Sequence, residues 1–276
     1  MIKQAIIPLA GLGTRLLPLT SVFAKELLPI NGKPGIEYIL DECIEAGIKE
    51  VIFIISQKKI MIKKYFYNDH FYKNIIKHKK DPRIISEYKK ILRYKKMIKF
   101  VFQDKPLGTG DAVLKTKKLI KDKYFLMLLP DDLIIKKNCS KSMIAIHKKH
   151  SASVMASMKV EKKEVTRWGI YNVKKKINNK NFIIKSVVEK PSIKEAPSNN
   201  AVIGRYILPK SIFHKLSKLK PGNGGEIHIT DAIQSLINDK DKFIGHNFSG
   251  KYLDCGTMKG YINSTLEIAK KWNYVW

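Results

Sequence analysis

The sequence predicts an α/β fold built on one mixed sheet, and three observations support this prediction. In the first half of the chain, short apolar runs typical of buried strands alternate with segments of helical periodicity. The first apolar run ends at two glycines, as strands do where the chain turns sharply into a loop. In the second half, the polar segment 178–181 separates two apolar runs, which indicates a hairpin and therefore antiparallel strands.

The first predicted unit consists of a strand, a loop, a helix and a second strand. Residues 4–10 form an apolar run that Gly11 and Gly13 bring to an end. Residues 36–46 carry apolar side chains at helical spacing, and residues 51–55 are again uniformly apolar. Because a unit of this kind joins neighbouring parallel strands through a right-handed crossover, we expect a parallel sheet in this half.

The remaining chain shows no internal repeat and no long flexible linker, so we predict a single domain over residues 1–276. Residues 58–96 are rich in Lys and Tyr with loose helical periodicity, and we interpret them as a helical excursion on this domain. Further strands are predicted at 98–102, 124–129, 152–160, 170–173, 182–188 and 201–208, and further helices at 111–120, 142–150, 211–219, 231–238 and 258–271.

The composition is that of a strongly basic globular protein. The chain has 276 residues, 44% of them hydrophobic, and a formal net charge of +29. Only five of the 53 basic residues are Arg. Because Arg is the side chain that contacts phosphates and base edges bidentately, we interpret the charge as a lysine-coated surface and expect no nucleic-acid partner. A non-catalytic polyanion-binding protein is the alternative that this charge leaves open.

The sequence also indicates in which cellular compartment the protein is expected. No apolar stretch approaches the roughly 20 residues that cross a bilayer, and the N-terminus lacks the pattern of a cleavable signal. The three cysteines have neither the spacing of a zinc cluster nor that of a disulfide framework. We therefore expect no membrane partner, a cytoplasmic location and reduced thiols.

An anion-binding loop is predicted directly after the first strand. Gly11 and Gly13 allow backbone N–H groups to turn toward a phosphate. Arg15 adds a forked donor, and Lys25 adds a point charge. Position 16 is Leu, which excludes the dinucleotide-binding fingerprint, and no G-K-[ST] sequence completes a P-loop.

Three polar residues follow other predicted strands or turns. Asp131 follows the apolar run 124–129, at the edge where open α/β sheets place ligands, and it could hold Mg²⁺ or equally cap a turn. Gln103 carries amide donors and an acceptor that suit the imide edge of uracil, although a solvent-facing glutamine is the alternative. Asp254 has the context of a turn or capping residue.

Motifs continue in order along nearly the whole chain. The first is GLGTRLLPLTSVFAKELLP at residues 11–29. Those that follow are QDKPLGTGDA (103–112), LPDD (129–132), WG (168–169), VEKP (188–191), PSN (197–199), VIGRY (202–206), GEI (225–227), TDA (230–232) and DCG (254–256). This ordered series resembles the sugar-phosphate nucleotidylyltransferases, and the first motif is similar to the bacterial UTP–glucose-1-phosphate uridylyltransferase branch in particular.

The resemblance implies a fold and an activity. The expected fold is Rossmann-like, of the nucleotide-diphospho-sugar transferase type, with a mixed, mainly parallel sheet flanked by helices. The expected reaction transfers a uridylyl group from UTP to glucose 1-phosphate and gives UDP-glucose and pyrophosphate, with Mg²⁺ as cofactor. A related enzyme that uses another nucleotide, such as dTTP, is the alternative. A homo-oligomer is also expected.

The resemblance further implies roles for individual residues. For one of them, Glu26, the alternative to nucleotide binding is that it only pairs with a lysine. It assigns catalysis to Arg15 and Lys25, nucleotide binding to Ala10, Gly11, Gly13, Glu26, Gln103 and Gly108, sugar-phosphate binding to Gly169, Glu189 and Lys190, and metal binding to Asp131 and Asp254.

The sequence departs from the family pattern at two positions and at its end. Asp111 stands where these enzymes often carry His, and Trp168 stands where Tyr is more usual. We expect both to alter the fit of nucleotide or sugar without removing a partner of a phosphate group. The chain ends at Trp276, earlier than in many relatives, which leaves their oligomer contacts in doubt.

Overall fold

The computed structural model describes residues 1–222 and 225–271. Within them, one large sheet of nine strands is accompanied by two small two-stranded sheets. The strands are β1 (Gln4–Pro8), β2 (Pro29–Ile30), β3 (Lys33–Pro34), β4 (Glu50–Ile55), β5 (Ile98–Phe102), β6 (Tyr124–Leu128), β7 (Asp132–Ile135), β8 (Ser153–Lys159), β9 (Gly169–Lys176), β10 (Asn181–Glu189), β11 (Asn200–Pro209), β12 (Phe243–Asn247) and β13 (Lys251–Asp254).

The large sheet is mixed, with order β5-β4-β1-β6-β11-β8-β12-β10-β9. The first four strands in this order are parallel to one another. In the described part of the sheet only β10 and β11 run against the other strands. The β9–β10 pair is the hairpin expected around residues 178–181. The predicted mixed, mainly parallel sheet is therefore confirmed.

Helices cover both faces of this sheet. Strand side chains alternate between the faces, so an apolar strand presents apolar side chains on both, and each face is covered by helices. The helices are α1 (Gly35–Glu45), α2 (Ile60–Tyr67), α3 (Asp69–Lys79), α4 (Pro82–Met97), α5 (Gly108–Leu114), α6 (Cys139–His150), α7 (Ile212–Leu216), α8 (Ile229–Asn238) and α9 (Met258–Lys271). Ile7 and Phe53 contribute to the core under α1, α2, α4 and α6, whereas Ile6 and Ile52 contribute to the core under α5, α7 and α8.

Two features outside the large sheet matter for the site. The segment 58–96, interpreted from the sequence as helical, contains α2, α3 and nearly all of α4. The short strands β7 and β13, which the sequence pattern did not indicate, pair antiparallel and bring Asp254 opposite Asp132. None of the helices in the described residues has the length and apolar character needed to cross a membrane.

Candidate active site

The predicted nucleotide-binding residues meet at the edge of the sheet where the parallel strands β1, β5 and β6 end. A cavity of about 300 Å³ opens there. Parallel strands end together at one edge, and ligands of open α/β sheets bind in the crevice outside it. Seven of the predicted site residues line this cavity, namely Ala10, Gly11, Lys25, Glu26, Gln103, Gly108 and Asp131.

The loop after β1 forms one wall of the cavity. Gly13 has a φ of 73°, in the left-handed region, and a Thr20 hydroxyl donates to its carbonyl at 2.9 Å. A Cβ at Gly11 would meet no atom within 4 Å, so the backbone there is open to a ligand. Because Gly tolerates left-handed backbone at no steric cost, the loop can turn at Gly13 and present Arg15 beyond it.

Two cations converge on Asp131. Lys25 Nζ lies 2.8 Å from Asp131 Oδ2, and Arg15 Nη2 lies 3.5 Å from the same oxygen. Burial alone would lower the pKa of Lys25, but the carboxylates of Asp131 and Glu26 outweigh it and raise that pKa. Burial would likewise raise the pKa of Asp131, and the nearby Lys25 lowers it instead. Lys25 and Asp131 are therefore both charged at neutral pH.

Glu26 forms a buried ion pair with Lys59. Lys59 Nζ lies 2.8 Å from both carboxylate oxygens, and the two residues are 3% and 6% exposed. The lysine pairing considered from the sequence is thus present, and Glu26 also borders the cavity. Lys59 was not predicted, because it is one lysine among many in a basic stretch and only the fold identifies its partner.

Gln103 and Gly108 are neighbours in the lining of this cavity, and the Gln103 amide donates to the Gly108 carbonyl. Gln103 is only 5% exposed, so it is not the solvent-facing glutamine that the sequence left open. Gly108 has a φ of 92°, and a Cβ there would lie 2.5 Å from the Ile227 carbonyl oxygen. Gly108 is therefore required by close backbone packing.

Asp254 ends β13 and serves as a turn residue. Its Oδ1 accepts a hydrogen bond from the Gly256 N–H at 2.8 Å, and its Oδ2 accepts one from the Thr257 hydroxyl at 3.0 Å. This matches the capping role considered from the sequence. Asp254 lines a neighbouring cavity of about 430 Å³ rather than the one that contains Lys25.

The two predicted metal ligands, Asp131 and Asp254, nevertheless both lie close to Gly256. A Cβ at Gly256 would stand 2.8 Å from Asp131 Oδ2, 3.3 Å from Asp254 Oδ1 and 3.0 Å from Arg15 Nη2. Within residues 1–222 and 225–271, no three acidic, Cys or His side chains form a metal-binding group. Two carboxylates fit Mg²⁺ all the same, since this ion commonly binds one or two carboxylates together with substrate phosphates and water.

The predicted sugar-phosphate residues cluster at the β9–β10 end of the sheet. Gly169 pairs with Glu189, and a Cβ at Gly169 would lie 3.0 Å from Glu189 Oε2. Lys190 is exposed, with a φ of 44°, and its N–H donates to the Trp168 carbonyl at 3.0 Å. These three residues do not line the cavity that contains Lys25, so the structure gathers the predicted residues into two adjoining groups.

A fully buried arginine holds the segment that carries Asp131. Arg205 donates from Nη1 to the Leu129 carbonyl at 3.1 Å and from Nη2 to the Asp132 carbonyl at 2.6 Å. Its other donors include Nε, 3.1 Å from both carboxylate oxygens of Glu42. These hydrogen bonds from Arg205 thus fix the backbone on both sides of Asp131. Sequence reasoning missed this pair, whose members are 163 positions apart.

Curated relatives resemble the chain over almost its full length. The UTP–glucose-1-phosphate uridylyltransferase of Bacillus subtilis strain 168 is 36% identical over 270 residues, which cover 97% of this chain and 91% of the relative. That of Mycoplasma pneumoniae is 35% identical over 272 residues, which cover 98% and 93%.

Solved structures agree with these relatives. A UTP-bound UGPase from Acinetobacter baumannii matches with a TM-score of 0.89 at 33% identity, covering 98% of this chain and 94% of that one. A UDP-glucose pyrophosphorylase complexed with UDP-glucose matches with a TM-score of 0.86 at 35% identity, covering 98% and 100%. The family profile described as nucleotidyl transferase matches residues 4–271. This chain therefore belongs to the nucleotidyl transferase family, as its ordered motifs predicted.

Proposed function

We propose that this protein transfers a uridylyl group from UTP to glucose 1-phosphate, giving UDP-glucose and pyrophosphate. The observation that carries the proposal is the convergence of Arg15 and Lys25 on Asp131, beside the cavity of about 300 Å³ that Lys25 and Asp131 line. Relatives named for this reaction, at 35–36% identity over nearly the whole chain, support the choice of substrates.

The reaction is a displacement at phosphorus. An oxygen of the sugar phosphate forms a bond to the α-phosphorus of UTP, and the bond from that phosphorus to the β-bridging oxygen breaks. The electron pair of the broken bond leaves on pyrophosphate. With a second phosphate pKa near 6, the nucleophile is already largely dianionic at pH 7, so no general base is required.

Charge repulsion is the main obstacle to this displacement. Two unit charges about 4 Å apart repel by roughly 4 kcal/mol at an effective dielectric constant of about 20. Lys25 is well suited to offset this repulsion, because its raised pKa keeps it charged through neutral and mildly alkaline pH. Arg15, which is largely exposed, can swing onto a bound triphosphate and hold two of its oxygens.

We propose Mg²⁺ as the cofactor, held by Asp131 and Asp254. The ion would neutralise phosphate charge when bound. Lys25 and Arg15 pair with Asp131, and a triphosphate would offer both cations better-matched partners and free that carboxylate. The second substrate would be contacted by the residues at the β9–β10 end of the sheet. Glu189 would bind the sugar hydroxyls, and Lys190 would bind the phosphate.

We place this reaction in the cytoplasm and expect the enzyme to be a homo-oligomer. The location is supported by the three cysteines, which are all free thiols, as in reducing compartments. The oligomeric state stays a prediction, and analytical ultracentrifugation of the full chain measures it directly.

Pyrophosphate release tests the proposal. The purified protein with Mg²⁺ and glucose 1-phosphate is assayed with UTP, dTTP, ATP and GTP in parallel, and UTP should give the highest kcat/KM. A clear preference for dTTP would refute the uridylyl assignment. Absence of turnover combined with tight, salt-dependent RNA or DNA binding would favour the polyanion-binding alternative instead.

A pair of lysine variants ties the activity to the cavity. Lys25→Met should lower kcat/KM by on the order of a hundredfold, the usual cost of losing one donor to a reacting phosphate or oxyanion. Lys148→Met is the matched control, because Lys148 is an exposed lysine on α6. It should leave the rate unchanged, and equal rates for the two variants would move the reaction elsewhere.

A further inference from the structure

Gln103 is a buried amide in the wall of the nucleotide cavity. It follows β5, and its backbone N–H donates to the Ile55 carbonyl at 2.8 Å. Its side chain borders the cavity beside Ala10 and Gly108. Because the amide is buried and its backbone is fixed, the orientation of its C=O and NH₂ groups decides which ligand atoms it can bind.

Two acceptors hold the amide nitrogen. Gln103 Nε2 donates to Asp111 Oδ2 at 2.8 Å and to the Gly108 carbonyl at 3.1 Å. An ionised carboxylate and a backbone carbonyl only accept hydrogen bonds, so the nitrogen must face them and both of its hydrogens are used. Among the described residues no donor is recorded for Oε1, which leaves this oxygen as the group that Gln103 can offer to a ligand.

We propose that Asp111 is a positioning residue that locks the Gln103 amide with Oε1 available to the base, and that this lock sets the preference for uracil over cytosine. The inference rests on the proposed function, since it concerns the base of the nucleotide that the site binds. Asp111 itself lies in the first turn of α5 and makes its recorded contacts with Gln103 and Lys115.

The two pyrimidines differ at the atom that such an acceptor would meet. Uracil carries a hydrogen on N3 and can donate it to Oε1, whereas the N3 of cytosine has a lone pair and can only accept. An amide free to rotate by 180° would serve either base, because its NH₂ group could then donate to cytosine. An amide that cannot rotate accepts the N3 hydrogen of uracil and repels the N3 lone pair of cytosine.

Asp111 is what prevents the rotation. A flipped amide would place Oε1 where Nε2 now lies, 2.8 Å from the Asp111 carboxylate, and two acceptors at that distance repel. Lys115 Nζ lies 3.8 Å from the same carboxylate. Discrimination of this kind depends on a repulsive element against the wrong ligand as well as an attraction for the right one.

Asp111→Asn tests the lock, because the Asn amide can donate to a flipped Gln103 and so removes the repulsion. We expect the ratio of kcat/KM for UTP over CTP to fall about tenfold or more, the factor commonly lost with a hydrogen bond to a charged group. The gain should be on CTP, with UTP nearly unchanged. The dissociation constants of the two nucleotides, measured by calorimetry, should shift in the same direction.

Two further variants complete the design. Asp231→Asn removes the same charge from the first turn of α8, where the side chain is exposed, and should leave the UTP/CTP ratio unchanged. Asp111→Glu retains an acceptor-only carboxylate and should preserve more of the discrimination than Asp111→Asn. Thermal unfolding of each variant identifies any loss that comes from misfolding.

The outcomes separate this inference from the proposed function. If the unaltered protein turns over no nucleotide, the proposed function fails and the inference fails with it. If the unaltered protein prefers UTP and Asp111→Asn discriminates against CTP as strongly as before, only the lock is overturned. A loss of UTP and CTP use by the same factor would also overturn it, because that result indicates a merely structural role.

Discussion

Glu42→Gln removes the charge of one partner of a buried ion pair while keeping the size of the side chain. Arg205 is fully buried, and its guanidinium donates to both Glu42 oxygens at 2.9–3.1 Å. A Gln at position 42 would turn an NH₂ group toward guanidinium donors and leave the arginine charge uncompensated. Breaking a buried pair in this way costs about 3–5 kcal/mol of unfolding free energy.

Glu45→Gln is the matched control for this change. Glu45 lies on the same helix, is exposed, and accepts one hydrogen bond from Asn138 at 2.9 Å. Its substitution should cost about 1 kcal/mol or less. Urea unfolding followed by circular dichroism measures both free energies, and the buried variant should also lose about 5–9 °C in Tm.

The Glu42 variant has a second expected effect, on activity. Arg205 also bonds the carbonyls on either side of Asp131, so a displaced guanidinium should lower turnover at temperatures where the variant is still folded. Equal unfolding free energies for Glu42→Gln and Glu45→Gln would refute the reasoning, because the burial of the pair would then contribute nothing.

Three other predictions concern the substrates, the metal and pH. Lys190→Ala should raise KM for glucose 1-phosphate far more than for UTP, with the exposed Lys185→Ala as control, and equal effects on both substrates would remove its assigned role. Asp131→Asn should depress turnover at every Mg²⁺ concentration, whereas an unchanged rate would move the metal elsewhere. Burial, with a contribution from Lys180, lowers the pKa of His246 from 6.5 to about 4, so the unfolded chain binds a proton there that the folded protein does not. Stability should therefore fall as pH drops below about 6.5, by about 1–2 kcal/mol at pH 5, and denaturant titrations of His246→Gln should lack that contribution.

The sheet could be predicted from the sequence where the pattern of a strand is local. The run Glu50–Ile55 is buried on both faces, so its residues are almost uniformly apolar and its parallel neighbours follow from the helices between them. The strands β7 and β13 have four residues each and pair across more than a hundred positions. Neither length nor alternation marks such strands, and their pairing exists only once the rest of the chain is folded.

The site divides in a similar way. Glycines and charged residues in a compact motif, such as Gly13 and Arg15, indicate phosphate chemistry by their spacing alone. Glu42 has the pattern of the polar side of an amphipathic helix, because nothing nearby in the sequence supplies its partner. Asp111 appeared only as a departure from the family, and its contact with Gln103 gives that departure a physical meaning.

The buried pair between Glu26 and Lys59 has a consequence for how this enzyme can be altered. Lys59 stands immediately before α2, at the entrance to the segment 58–96, and its Nζ binds the loop that carries Lys25. The helices beyond that entrance are part of the same arrangement, because α2 and α4 bury Ile62, Phe66 and Ile91 in the core they share with the large sheet. A chimera that replaces residues 58–96 should therefore disturb both this core and the loop that carries Lys25.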